Sequence, residues 1–503
     1  MLMSRKAASA VALCLLVFSI GPVFADRAAD RAAEKARKKA WEEAKEAFAR
    51  EYKSDDPKVR RAAVRKLADF TDMGAVEILL QTVVASERSF GVLDAAIRII
   101  ATTKDPKVIG WLVRQSKGKG KWLERTAIVE AMADITSPEV NAVLAWLIRK
   151  ESDSRVLAMA LTAVGEKGMK EEIDAVIPHL EHDDWQVRLA AIEALGGFKD
   201  DKAIIHLIDR LMNERGRLRF DIESALKKLT GKDFGRDANV WRKWFHERDL
   251  KKDDPPEGKP PEGNAGRKPG EKKGVGSVVK EPTYFGIKVV SDRVLFIIDV
   301  SKSMKTPIDI DKMKLMRDAA TTGEGKGGEN KDDEKFEQSV KWWKIKDRLD
   351  LAKAHLAFVI KNLREDQKFE MVSFSEKITP WNGGRVLKAK TRNKLRAINW
   401  IEELKVEEAT AAGAALDFAF EMAGPGAADK NYKTGVDTIF FLSDGAPSDR
   451  SGDEILEEIR GRNRLRKIRI HVIAILNYST PFLRKLAEQN GGVYKFFKVE
   501  DKE

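Results

Sequence analysis

Cysteine is almost missing from this chain. Its single cysteine, Cys14, lies inside the segment 1–25, so the rest of the protein has no thiol chemistry and no disulfide to rely on. Histidine is scarce, with six in 503 residues, and none is placed in sequence to serve a serine triad. Beyond one apolar run from Ala7 to Ile20, no stretch approaches the ~20 apolar residues that a membrane span needs. No basic block alternates with aromatics. The 92 basic and 80 acidic residues are interspersed, so the net charge of +12 reads as a solvated surface and not as a nucleic-acid groove. Such a length, with 43% hydrophobic residues, suits two or three domains with real cores.

The first segment has the marks of an export signal. Arg5 and Lys6 precede the apolar run, and Val23-Phe24-Ala25 offers small residues at the usual cleavage positions. Residues 1–25 are therefore expected to be a signal peptide removed before Asp26, with the mature protein periplasmic, at the cell surface or secreted. Leu13 before Cys14 argues against lipoprotein processing. Residues 26–54 are rich in Ala, Lys and Glu with charge pairs at helical spacing, which predicts a solvent-exposed lead-in helix, partly detached.

A repeat follows. Asp55-Asp56-Pro57-Lys58-Val59-Arg60-Arg61-Ala62-Ala63 returns as Asp183-Asp184-Trp185-Gln186-Val187-Arg188-Leu189-Ala190-Ala191. Weaker copies are anchored at Ala96, Ala127, Ala160 and Ile222, so that the anchors from Ala63 onward recur at a nearly constant interval. Four positions after each anchor come Leu67, Ile100, Ala131, Val164, Leu195 and Leu226, which is one helix face. A period of roughly 32 residues predicts an α-solenoid over 55–250, closed by Trp241, Trp244 and Phe245. This array resembles the HEAT family, particularly its short bacterial repeats. His179-Leu180-Glu181-His182, at a repeat junction, lacks zinc-protease spacing and reads as surface histidines.

Residues 251–280 alternate Pro, Gly and charge, and predict a linker. Residues 281–503 then switch to alternating strands and helices. Strands are predicted at Val294–Ile298, Phe369–Phe374, Thr438–Leu442, Ile470–Leu476 and Val493–Phe497. Helices are predicted at Asp350–Leu363, Gly413–Met422, Glu454–Arg462 and Pro481–Gln489. Continuous apolar strands between amphipathic helices imply a doubly wound α/β sheet, with ligands at the carboxyl ends of its strands.

Three segments supply oxygen ligands at such ends: Asp299-Val300-Ser301-Lys302-Ser303, Thr410, and Asp444-Gly445. Two carboxylates and three hydroxyls suit a hard divalent cation, Mg²⁺ or else Mn²⁺ or Ca²⁺. The region resembles a von Willebrand factor type A (VWA) domain, and Asp299, Ser301, Ser303, Thr410 and Asp444 match its metal-ion-dependent adhesion site. That resemblance implies hydroxyls facing the metal, aspartates acting largely through water, and a partner's acidic side chain completing the coordination. The sequence departs from the family in two places. Glu408-Ala409 precede Thr410 where the family usually has glycine, so Glu408 could tune or occupy the site, or point to solvent. Residues 305–344 are an insertion, a lid over the site or a tolerated surface loop; its Gly323–Gly328 lacks the strand and the Lys-Ser/Thr pair of a phosphate cradle.

The expectation is an exported, non-enzymatic adhesion or scaffold protein. It would bind a protein partner's acidic group through a divalent cation, with the helical array as a second binding surface and no nucleic acid or membrane span involved. The alternative is an accessory subunit of an ATPase or a metal-insertion enzyme complex.

Overall fold

A computed structural model describes residues 31–87, 89–252, 281–308, 339, 342–423, 435–476 and 480–498. The expected signal peptide, nearly all of the expected linker and most of the 305–344 insertion lie outside these residues.

The repeat sequence encodes its own helix starts. Asp56, Asp105, Ser137, Asp153 and Asp200 each accept a hydrogen bond from the N–H two positions on, at the mouth of the next helix. Pro57, Pro106 and Pro138 fill the first helical position, where a missing N–H costs nothing. The first helix, α1, spans 31–51. It is followed by α2 (Pro57–Arg65), α3 (Met73–Ile78, continued by a π-turn to Val84), α4 (Phe90–Ala101), α5 (Pro106–Lys117), α6 (Trp122–Asp134) and α7 (Pro138–Lys150). The array ends with α8 (Ser154–Glu166), α9 (Ile173–Val176), α10 (Trp185–Gly197), α11 (Asp201–Asn213), α12 (Arg217–Thr230) and α13 (Ala238–Lys252).

Even-numbered helices from α2 to α12 stack on one another as one row, while α5 and α7 begin a second row that α11 and α13 close. All six repeat anchors, Ala63, Ala96, Ala127, Ala160, Ala191 and Ile222, are completely buried in this stack. Close approach explains the glycines at its seams. A Cβ on Gly165 would stand 2.8 Å from the Cα of Ala194, and one on Gly196 would stand 2.9 Å from the Cβ of Ala225. At the far end Trp241 is fully buried, edge-on to Phe234 at 4.9 Å, with its indole N–H donated to the Gly235 carbonyl at 2.7 Å.

Two expectations need refining. The lead-in helix is not detached along its whole length: residues 31–40 are exposed, but Phe48 is buried in the array core and Trp41 packs on Phe70 with ring centroids 5.2 Å apart. Its charge pairs mark only the solvent side, and its sparse aromatics supply the buried stripe. Nor are the junction histidines simple surface residues. Half-buried His179 holds the Ile148 carbonyl at 2.6 Å, and His182 Nδ1 accepts from the Asp184 N–H at 2.9 Å.

The second domain opens with a hairpin, β1 (Thr283–Tyr284) and β2 (Ile287–Lys288). Its main sheet holds β3 (Arg293–Asp299), β4 (Lys368–Phe374), β5 (Ile378–Pro380), β6 (Leu387–Lys388), β7 (Thr438–Ser443), β8 (Arg469–Leu476) and β9 (Tyr494–Lys498). Strand order is β5-β4-β3-β7-β8-β9, with β6 also on β4; β4, β3, β7, β8 and β9 are parallel. The helices are α14 (Arg348–Asn362), α15 (Thr391–Glu403), α16 (Ala412–Met422), α17 (Gly452–Arg466) and α18 (Pro481–Gln489). Pleating sends Val294, Phe296 and Ile298 into one core with α14 and α15. Leu295 and Ile297 enter the other, with α16, α17 and α18. From β3 the chain proceeds to β4 on one side and returns to β7 on the other, so the order reverses between β3 and β7. In sheets of this kind a crevice opens at such a reversal, at the carboxyl ends of the strands.

Candidate metal centre

Asp299 ends β3 and Asp444 follows β7, so both carboxylates stand at that crevice. Asp299 is completely buried. Its Oδ1 accepts from the Ser301 N–H at 2.8 Å and its Oδ2 from the Ser443 hydroxyl at 2.6 Å. Ser301 and Ser303, on the short turn beyond β3, bring their Oγ atoms within 3.0 Å of each other. Ser303 then donates to Asp444 Oδ1 at 2.6 Å. Ser303 is exposed, so this oxygen cluster opens to solvent.

Thr410 reaches the site through its backbone. The Glu407 N–H donates to the Val300 carbonyl at 2.8 Å, which lays the 407–411 loop beside the serine turn. Thr410 exchanges two hydrogen bonds with Ser448, beyond Asp444, at 3.0 and 2.9 Å. Among the described residues no hydrogen bond joins its hydroxyl to the other four groups. The structure thus brings Asp299, Ser301, Ser303 and Asp444 into one bonded cluster, with half-buried Thr410 on the adjoining loop.

The electrostatics are unusual. Burial, and then the neighbouring Asp444 charge, push Asp299 up to about 7. Burial also raises Asp444, although Ser303 and Arg348 pull it down. Arg348, at the start of α14, was not anticipated from sequence. Its Nη1 donates to Asp444 Oδ2 at 2.9 Å, with both side chains out of solvent. An arginine opening an amphipathic helix carries no signal of such a role; only the fold aims it at the crevice.

Glu408 turns outward. Its carboxylate is exposed and lies 3.3 Å from the exposed Lys302 ammonium. Ala409 is held at φ 63°, the left-handed region that a side chain disfavours. The glycine usual at this point in the family thus has a backbone reason.

These oxygens fit a hard cation. Among the described residues no cluster of three or more His, Cys, Asp or Glu is placed to hold a metal, so an ion at this cluster would need hydroxyl ligands beside the carboxylates. Ser301, Ser303 and Asp444 would hold the ion, with Asp299 behind them orienting Ser301 through its backbone N–H.

Comparison with known proteins gives the family of each part. Residues 46–133 and 140–227 match HEAT repeats, and residues 344–496 match the von Willebrand factor type A domain. The chain thus carries HEAT repeats within residues 46–227 and a VWA domain over residues 344–496. The VWA match contains Thr410 and Asp444 but begins after Asp299, Ser301 and Ser303, which the insertion separates from the rest. No curated protein matches the chain. Among solved structures, a von Willebrand factor type A protein from Catenulispora acidiphila is 17% identical over 42% of this chain and 39% of its own, with a TM-score of 0.27. Proximal thread matrix protein 1 from the mussel byssus is 15% identical over 41% of each chain, with a TM-score of 0.24. A designed armadillo repeat protein is 16% identical over 36% of this chain and 98% of its own, with a TM-score of 0.22. This chain therefore spans less than half the length of the first two.

Three outcomes follow from this geometry. With Asp299 raised to about 7, its contribution to cation-free stability is full below 3.8 and is lost as pH rises through about 7. Mg²⁺ binding at this cluster would need the ionised carboxylate and would run the other way. Calorimetric affinity should weaken about tenfold per pH unit below that point, and a flat profile would exclude a proton on Asp299. Arg348→Met leaves Asp444 buried without its counter-charge and should cost about 3 kcal/mol in thermal denaturation, with Mg²⁺ recovering most of it. Ala409→Gly should raise chemical-denaturation stability by about 1 kcal/mol by releasing the left-handed alanine.

Proposed function

We propose that this is an exported, non-enzymatic adhesion or scaffold protein that recognises an acidic group on a protein partner through a divalent cation. HEAT repeats joined to a VWA domain point to protein–protein interaction. One observation carries the finer reading. Asp299, Ser301, Ser303 and Asp444 converge at the strand-order reversal, where an exposed hydroxyl gives the cluster an open side. A cation there would be held by hard oxygens and leave room for a partner's carboxylate. The export part rests on residues 1–25, whose basic start, apolar run and small-residue end have the form of a secretory signal.

Among the described residues no serine–histidine pair competes for these serines. The Ser443 and Ser303 hydroxyls are both donated to carboxylates that serve the cluster, and neither has a histidine partner. Among the described residues no helix is long and apolar enough to cross a membrane.

Calorimetric titration of the chain from Asp26 with Mg²⁺ and with Mn²⁺ tests the proposal, beside Asp299→Ala. Saturable binding should appear in the natural sequence and fall at least tenfold in the variant. The metal-loaded protein should then be retained on an immobilised glutamate surface and released by chelator. Equal binding by both chains, or retention indifferent to chelator, would overturn it.

A further inference from the structure

The even-numbered helices of the array are not free. Helix α17 and the start of β8 lie across them, contributing a basic run: Arg460-Gly461-Arg462-Asn463-Arg464-Leu465-Arg466-Lys467-Ile468-Arg469. Successive array helices present acids to it. Arg464 stands 2.8 Å from Glu130 on α6, Lys467 4.0 Å from Glu193 on α10, and Arg469 is paired with Asp221 on α12. Nearer the array's start, Arg61 on α2 reaches Glu457 on α17 at 2.7 Å. Arg217 on α12 completes the seam, bonded to Asp221 and to the carbonyls of Asp437 and Lys467.

Two helix glycines show that the fit is built. A Cβ on Gly461 of α17 would fall 2.1 Å from the Cβ of Phe90, and one on Gly91 of α4 would fall 1.6 Å from Glu457 Oε1. A helix-interior glycine such as Gly461 is destabilising relative to alanine, and this close approach accounts for it. Leu465, one turn further along α17, packs onto the array core. Burial raises Glu130 and Glu166 on α8, and each feels other acids of the row as well as the cations that α17 and its end bring to them.

We propose that the even-helix row is a dedicated acidic receptor for the basic, glycine-notched end of α17 and β8, so that array and VWA domain form one rigid body. The occupied row is then closed to outside partners, and the linker does not tether two independent binding modules. The seam meets the amino ends of β3, β7 and β8, at Arg217 with Asp437 and at Arg469 with Asp221. The metal cluster sits at the opposite ends of the same strands, ~20 Å away along β3. The array therefore works as a mount that turns the metal face outward.

The test uses the full chain with a protease site inserted in residues 253–280. After cleavage in about 0.1 M salt the two halves should co-elute in gel filtration, and they should part in about 1 M salt, where ion pairs are screened. Gly461→Leu should weaken their association at least tenfold, with far-ultraviolet dichroism unchanged. Glu130→Arg should do the same, and adding Arg464→Glu should restore it. Halves that separate at low salt, or a charge reversal that its swap partner does not rescue, would overturn the proposal.

Discussion

Two carboxylates at the ends of neighbouring parallel strands set the terms for the whole VWA domain. Asp299 and Asp444 are withdrawn from water, and the Asp444 charge is close enough to raise Asp299, a burden few folds would carry without a purpose. Everything nearby compensates. The Ser301 N–H and Ser443 hydroxyl hold Asp299, while Ser303 and Arg348 hold Asp444. Arg348 keeps the cluster from carrying two unopposed charges, and a divalent ion would meet a site already partly neutralised. Such a site would bind an ion less tightly than bare carboxylates, but would leave more positive charge facing outward.

The same economy of contact appears at larger scale. Small residues mark the places where backbones must approach. Alanine anchors lie between array helices, Gly165 and Gly196 at their seams, and Gly461 lies where the VWA domain meets them. Ala409 is the opposite case, a side chain tolerated in a glycine conformation beside the site, held by the bonds that tie its loop to Val300 and Ser448.

Much of this is legible in the amino-acid sequence. The regular spacing of Ala63, Ala96, Ala127, Ala160, Ala191 and Ile222 is set by local helix geometry, and all six are buried. Continuous apolar runs marked the buried parallel strands. Short strands β5 and β6 are not legible locally, because they owe their place to pairing with β4, whereas α15 was passed over although Ala397 and Ile401 recur at helical spacing on its buried face. The candidate ligands stood out in the sequence because Asp299 ends a strand, Ser301, Ser303 and Asp444 lie just beyond strands and Thr410 lies just before a helix, all near the carboxyl ends of a parallel sheet. Arg348 did not, since nothing local distinguishes it from any arginine in a first helical turn.

By itself the sequence determined the periods of its array, strands and helices, each dictated by backbone geometry within a few neighbours. It also determined which oxygens are available for a cation. Only the tertiary structure decided what those elements face. The burial of Asp444 against Arg348, 96 residues apart, and of Arg469 against Asp221, 248 apart, depends on where the chain returns after long excursions. Charge pairs of that separation leave no trace in local pattern, because Coulomb attraction acts through space and the chain order is silent about it.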